Sequence, residues 1–495
     1  MTSWGYTPAE QPPPNLAESN KIFANDESDK CSSKQTDQIQ QRSKMSRKFP
    51  RYSCSWLKYY IAKILFKNQR PSAERGPGHF QGPSSYPLLC WWSLIWAVVC
   101  TLLMIWLLMF IKTTPSAAAD GFEKVKSLIG PNDSLLVVDS EGRTIISKNK
   151  NKKLIPASIL KLLTSLGALH YLGPDYRYAT EFYLDKHSNL IIKGFGDPLL
   201  ISEIVNDISD RLSELIGNST VINDLVVDDS YFNQPLTIPG ISSSSQPYDA
   251  PNGALCVNFN TVFFKRTRSG YISAEAQTPL LPYAEKKIRA QNLKNGRFVL
   301  SHLENENTIY AGKLFQYFLK QHGVQFCGTV TPGQVNETED KLIYRYVSRF
   351  SLAQIISKLL EHSNNFTTNQ LFITSGVEAL GPPGNLEKGV AAALQYTANV
   401  LQIKNISIVE GSGISRQNRV SALHMLRILD KFKPHHQLMR KKGREFYKTG
   451  TLYGVSTRAG YIADENGGLY RYALMINTPG KSTRPIMRKL LKILE

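Results

Sequence analysis

The chain has 495 residues, 42% of them hydrophobic, and a formal net charge of +19. That length exceeds one hydrophobic core and predicts two to four folded units beside any non-globular part. The excess charge would point to nucleic acid if it were spread over a folded face, but it is concentrated: between Arg42 and Arg75 ten Lys and Arg face one acid, Glu74, directly before an apolar run. Such a block orients a chain in a membrane, so a membrane and not nucleic acid is the expected partner.

Residues 1–50 are rich in Gln, Ser, Asn, Asp and Pro, lack a sustained apolar period, and read as a disordered segment. Over 51–87 the chain is basic. Trp56, Leu57, Tyr60, Ile61, Ile64 and Leu65 recur there at helical spacing beside Lys58, Lys63 and Lys67, which suits an amphipathic juxtamembrane helix or one packing on a partner. Leu88 to Ile111 then runs 24 residues without a charge, about 36 Å as a helix and enough to span a bilayer. Trp91, Trp92, Trp96 and Trp106 lie towards its ends. With the basic flank before it, the run predicts a single transmembrane helix over 88–111, a cytoplasmic N-terminus and everything later outside. A cleaved signal peptide ending at Ala117-Ala118-Ala119 is the competing reading, against which stand the long leader and an apolar core beyond the usual ~7–15 residues. In this topology only Cys256 and Cys327 of the six cysteines reach an oxidising compartment, either paired or as buried thiols.

A linker at 112–120 leads to a predicted hairpin over Ser134 to Lys148, turning at Ser140-Glu141-Gly142. Pro156 opens a predicted helix to Leu172, with Leu160, Leu163, Leu166 and Leu169 on one stripe and Gly173 as its stop. From 181 to 343 short β-like runs such as Leu190-Lys193, Leu225-Val227 and Tyr271-Ala274 predict a β-rich insert. Helical periodicity returns at Ser351 to Glu361 and from Asn369. Three strands follow, Phe446-Thr451, Ser456-Ile462 and Leu469-Ile476, the last two joined by Glu465-Asn466-Gly467-Gly468, and a basic helix over Arg484 to Leu494 closes the chain. The expected fold class is α+β: one antiparallel five-stranded sheet covered by helices, built from 121–180 and 344–495, with 181–343 looped out of it.

Three elements on this frame carry chemistry. Ser158-Ile159-Leu160-Lys161 sits at a helix start, where backbone N–H groups favour developing negative charge. A serine hydroxyl needs a positioned base, and Lys161, one turn on, qualifies if burial or a nearby cation keeps it neutral. The same spacing at Ser55/Lys58 and Ser147/Lys150 carries no such setting, and a capping serine is the structural alternative at Ser158. Ser363-Asn364-Asn365 falls between helical stretches, where Ser363 can relay a proton to a leaving amine and Asn365 can hold Lys161 and substrate backbone; by itself it would be a capping turn. Lys448-Thr449-Gly450-Thr451 lies on a strand. There Lys448 supplies a cation, Gly450 removes a side chain beneath a substrate, and the hydroxyls of Thr449 and Thr451 suit a terminal carboxylate. The N–H groups of Ser158 and Thr451 suit an oxyanion hole. The structural alternative is an edge strand guarded by a lysine. No histidine pattern has metal-ligand spacing, and no metal or cofactor is expected.

In this order and setting the residues resemble the low-molecular-mass penicillin-binding proteins of the D-Ala-D-Ala carboxypeptidase/endopeptidase type, peptidase family S13. The resemblance covers about 130–480. It rests on Pro156-Ala157-Ser158-Ile159-Leu160-Lys161-Leu162, Gly196-Asp197-Pro198, Tyr248-Asp249-Ala250-Pro251, the element at 363–365, Gly411-Ser412-Gly413-Ile414-Ser415-Arg416 and the Lys-Thr-Gly element, with Ser363 lying 205 positions after Ser158. It implies a transpeptidase/β-lactamase-like domain. It also implies peptidoglycan stem peptides as substrate, β-lactam antibiotics as covalent inhibitors, and acylation of Ser158 followed by hydrolysis of the acyl-enzyme. Combined with the predicted span, it places the enzyme on the bacterial inner membrane, facing the wall. Two positions depart from the family's pattern: Glu410 stands where Asp is usual and Asn364 where Asp is common. A β-lactamase-like hydrolase and a non-catalytic wall-binding scaffold are the alternative functions. Carboxypeptidase and endopeptidase action share the same acylation chemistry and are not separated at this level.

Overall fold

The computed structural model describes residues 95–104 and 117–494, apart from 218. The predicted segments 1–50 and 51–87 lie outside these residues, and of the predicted span 88–111 only 95–104 is described. That stretch is a helix with exposed Ile95, Trp96, Leu102, Leu103 and Met104. Its Thr101 hydroxyl donates back to the Ala97 carbonyl at 2.8 Å. Among the described residues no helix is long and apolar enough to cross a membrane.

From 117 the chain is helical, so the end of the predicted linker is instead the first turn of α1 (Ala117–Ser127), supported by Lys124 on Asp120 one turn away. The hairpin β1 (Asp133–Val138) and β2 (Thr144–Lys148) follows as predicted. The helix expected from Pro156 begins as a tight 3-10 turn, Ala157–Leu160, which runs straight into α2 (Lys161–Tyr171). Ser158 therefore lies inside the turn and is not a cap, and no side-chain cap bond is made there.

The stretch expected as an insert holds β3 (Ala179–Leu184), β4 (Leu190–Gly194), α3 (Ser202–Ile216), β5 (Val221–Ile222), β6 (Leu225–Asp228), β7 (Thr261–Thr267), β8 (Gly270–Ser273), α4 (Pro282–Ala290), β9 (Gly296–Val299), α5 (Glu306–Gln321), β10 (Gln325–Phe326), β11 (Val330–Pro332) and β12 (Lys341–Val347). Its main sheet has the order β11-β6-β4-β3-β12, with parallel pairs at β4–β6 and β6–β11. Parallel strands need crossover connections, which is why helices intervene. The first and last strands of this stretch in chain order, β3 and β12, pair antiparallel from Ala179↔Val347 to Leu184↔Lys341. The chain thus leaves and re-enters the rest of the fold at one place.

After β12 come α6 (Leu352–His362), α7 (Asn365–Leu380), α8 (Leu386–Asn399), α9 (Ala422–Phe432), β13 (Arg440–Lys442), β14 (Glu445–Leu452), β15 (Val455–Ala463), β16 (Leu469–Ile476) and α10 (Thr483–Ile493). The principal sheet is antiparallel, in the order β13-β14-β15-β16-β1-β2. It has six strands instead of the predicted five, because the exposed basic run at 440–442 pairs with the start of β14. β1 is buried along its whole length, since both faces of the sheet are covered. On one face Val125 of α1, Ile129 just after it, and Ile486, Met487 and Leu490 of α10 pack with Leu135, Val137, Leu474 and Ile476. On the other lie the apolar side of α9, including Met425, Leu429 and Phe432, and the Tyr461 hydroxyl on the Leu429 carbonyl at 2.6 Å. Cys256 is buried, Cys327 is exposed, and both are free thiols.

Candidate active site

The three predicted elements meet where α2, α7 and β14 converge. Ser158, half-buried, is presented by the 3-10 turn, and the residue before it, Ala157, is held at φ +48°. A left-handed conformation at a residue with a Cβ is uphill and persists only where surrounding contacts enforce it. Lys161, fully buried at the start of α2, turns its amine onto the Ser158 hydroxyl at 3.1 Å, the Asn365 side-chain carbonyl at 2.7 Å and the Ser412 backbone carbonyl at 2.7 Å. Burial pulls its pKa down to about 7, against the opposing effect of Glu410.

Ser363 ends α6 in the left-handed region at φ 59°, and Asn364 caps α7 by accepting from the Thr367 N–H at 2.9 Å. The break between two helices turns both Ser363 and Asn365 into the cleft. Asn365 carries Lys161 on its oxygen, and its amide nitrogen donates to the Tyr248 carbonyl at 3.2 Å. Lys448, buried on β14, donates to the Ser363 hydroxyl at 2.7 Å and to the Thr449 carbonyl at 3.0 Å. Its charged form is disfavoured first by burial, then by Lys161 and Arg440. Of the two causes open for a neutral Lys161, burial or a nearby cation, burial is the one that acts on it.

Thr449 and Thr451 are exposed on β14, on either side of buried Gly450. A Cβ at 450 would stand 2.6 Å from the Ser158 backbone nitrogen, so glycine lets the strand lie against the Ser158 turn. Beyond the two threonines a cavity of about 300 Å³, also lined by Arg458, Lys481 and Arg484, opens beside the site and not over Ser158. Arg458 is bound to Glu445 and Lys481 to Asp133. Among the described residues no group of three or more His, Cys, Asp or Glu is placed to hold a metal.

Sequence reasoning missed three contributions. The insert walls the cleft: besides the Tyr248 carbonyl on Asn365, Asn252 donates to the Phe366 carbonyl at 2.9 Å, and Gln370 of α7 reaches back to the Gly253 carbonyl at 2.9 Å. The Ser412 carbonyl holds Lys161, and backbone acceptors leave no signature in a sequence. Finally, Gly413 stands at φ +84° with its Cβ position overlapping the Ala157 carbonyl; the tight Gly-Ser-Gly spelling was the available signal. Gly413→Ala is expected to destabilise the fold by about 2 kcal/mol or more, from strain plus displacement of the Ser158 turn; urea unfolding of the two proteins measures it.

A family description, the D-Ala-D-Ala carboxypeptidase 3 (S13) family, matches residues 123–298 and 295–443. A D-alanyl-D-alanine carboxypeptidase from an Actinomadura species is 24% identical over 417 residues, covering 69% of this chain and 77% of that protein. The D-alanyl-D-alanine carboxypeptidase DacB of Haemophilus influenzae is 22% identical, covering 72% and 85%. In fold the chain is similar to the crystal structure of penicillin binding protein 4 (dacB) from Haemophilus influenzae, with a TM-score of 0.62, 19% identity and coverage of 75% of this chain and 97% of that one. The matched family segments contain Ser158, Lys161, Ser363 and Asn365, and β14 brings Lys448 to them from just beyond. The chain belongs to the D-Ala-D-Ala carboxypeptidase 3 (S13) family.

Proposed function

We propose that this protein is a serine-type DD-peptidase that cleaves D-Ala-D-Ala-type bonds of peptidoglycan through an acyl-enzyme on Ser158. The observation that carries the reading is the Lys161 amine, buried and within 3.1 Å of the Ser158 hydroxyl. As the neutral amine, Lys161 takes the hydroxyl proton while Ser158 Oγ forms a bond to the substrate carbonyl carbon. The oxyanion is received by the N–H groups of Ser158 and Thr451. The C–N bond then breaks, the proton returning to the leaving amine through Ser363, which Lys448 holds. Water attacks the acyl-enzyme with Lys161 again as base. The Lys448 amine, a donor whatever its charge, and the hydroxyls of Thr449 and Thr451 suit the terminal carboxylate. A wall-binding scaffold has no need of Ser158 and Asn365 gathered on Lys161 beside Ser363 held by Lys448. The same acylation makes β-lactams covalent inhibitors; the Haemophilus influenzae protein has been crystallised with one bound.

The basic block and the apolar run 88–111 support an uncleaved anchor, with the enzyme on the outer side of the bacterial inner membrane. Division of the chain into a catalytic part, 121–180 with 344–495, and an insert, 181–343, is supported by the β3–β12 junction.

The test is incubation of the full-length protein with cross-linked and with pentapeptide muropeptides. Released D-alanine marks carboxypeptidase action and monomer formation marks endopeptidase action; neither product, with no penicillin adduct by intact mass, would sink the proposal. The adduct's lifetime separates a slow peptidase from a β-lactamase. Because the base must be neutral, acylation by penicillin is expected to rise with pH through a midpoint near the Lys161 value of about 7; a rate flat between pH 5 and 9 on this scale, about two units either side of that midpoint, contradicts the lysine's role.

A further inference from the structure

Glu410 is wholly buried, and both of its oxygens are used. Oε2 accepts from the Ser412 N–H at 2.6 Å and the Ser412 hydroxyl at 2.7 Å. Oε1 accepts from the Gly413 N–H at 2.8 Å, the Ser415 N–H at 3.2 Å and the Asn418 side-chain amide at 2.6 Å. One carboxylate thus closes the whole turn from 410 to 418. The turn is fixed from outside as well: Thr164 of α2 donates to the Gly411 carbonyl at 2.6 Å, and the Gly411 N–H donates to Asn369 of α7 at 2.9 Å. Its two functional contacts are the Ser412 carbonyl on the Lys161 amine and Gly413 against Ala157, whose strained φ it helps to enforce.

We propose that Glu410 is a positioning residue for Lys161 and Ser158, holding the turn whose carbonyl fixes the amine against the hydroxyl and placing the site's counter-charge behind it. Its five donors tie it to both partners of the nucleophilic pair, to Lys161 through Ser412 and to the Ser158 turn through Gly413. The groups facing Lys161 are Ser158 from its own turn, Asn365 from α7, the Ser412 carbonyl, and Lys448 from β14 with Arg440 beyond it. Among them Glu410 is the acidic group acting on the lysine's charge, and it opposes the effect of burial. The side chain at 410 is glutamate where the family resemblance leads one to expect aspartate, and it reaches five donors. This inference rests on the reading of Lys161 as the base.

The experiment is the pH profile of acylation by a fluorescent penicillin for the full-length wild type, Glu410→Gln and Glu410→Asp. Glutamine keeps the shape, removes the charge and turns an N–H₂ towards backbone donors. Its plateau rate is expected to fall about tenfold through loosening of the turn, and its acidic limb to move down by about one pH unit, because the lysine loses the charge favouring its protonated form. Aspartate keeps the charge on a shorter arm, so its plateau falls while its limb stays with the wild type. A glutamine limb that coincides with the wild type overturns the proposal, as does a limb that moves equally in both variants. If the glutamine variant does not fold, the aspartate variant decides: wild-type rate and limb together would overturn the role. A wild type that takes up no penicillin instead defeats the DD-peptidase reading itself, so the two failures are distinguishable.

Discussion

A Ser158→Ala variant is expected to form no covalent penicillin adduct and to lose DD-peptidase turnover by about 10⁴-fold or more, since Ser158 is the hydroxyl that the Lys161 amine meets. The side chain is half-buried and accepts one hydrogen bond, from Lys161, so stability is expected to change by less than ~1 kcal/mol. Intact-mass spectrometry after penicillin treatment, with a melting curve on the same sample, checks both halves. A variant that still takes up one penicillin would show that another serine is acylated and would remove Ser158 from the centre of the mechanism.

The second large effect is expected at Lys161. Lys161→Met fills much of the same buried volume without a base, and acylation is expected to fall by about 10³-fold, within the range for losing a positioned proton acceptor. The more telling readout is the shape of the pH profile. The residual rate is expected to lose its rise near pH 7, because the group responsible for it, pulled down to about 7 by burial, is gone. Stopped-flow acylation across pH separates this from general damage: a variant slowed equally at every pH, with the limb intact, assigns the titration to another group, and Lys448, whose charge burial also disfavours, is next in line.

The legible parts of this protein were those in which a side chain itself does the work. Ser158, Lys161, Ser363, Asn365 and Lys448 were readable because hydroxyl, amine and amide stand at motif spacing on elements whose periodicity was clear, and the structure brings them into one cleft. The strands around Gly450 were readable from alternation and from the Asn466-Gly467 turn. What escaped falls into two kinds. The Ser412 and Tyr248 carbonyls belong to the backbone and carry no residue-type signature. The helices Ser202–Ile216 and Glu306–Gln321 were overlooked although the first shows Ile204, Val205, Ile208, Leu212 and Ile216 at helical period. The short β runs around them dominated the reading of 181–343. The sixth strand was missed because three consecutive cations look like a solvated face, and on an edge strand they are one.

The pairing of β1 with β16, Leu135 opposite Leu474, sets an order of assembly. As the chain is synthesised, the first hairpin emerges early, yet the strand that completes one side of it is made almost last. The insert is different: β12 closes on β3 once residue 347 is made, so its sheets can form while the C-terminal strands are still absent. Until then β1 presents a long apolar edge with no partner, the condition under which nascent chains aggregate or recruit chaperones. The Ser158 turn precedes Gly413, Gly450 and Thr457, which pack and bond against it, so its geometry is set only after the chain has been made past residue 457.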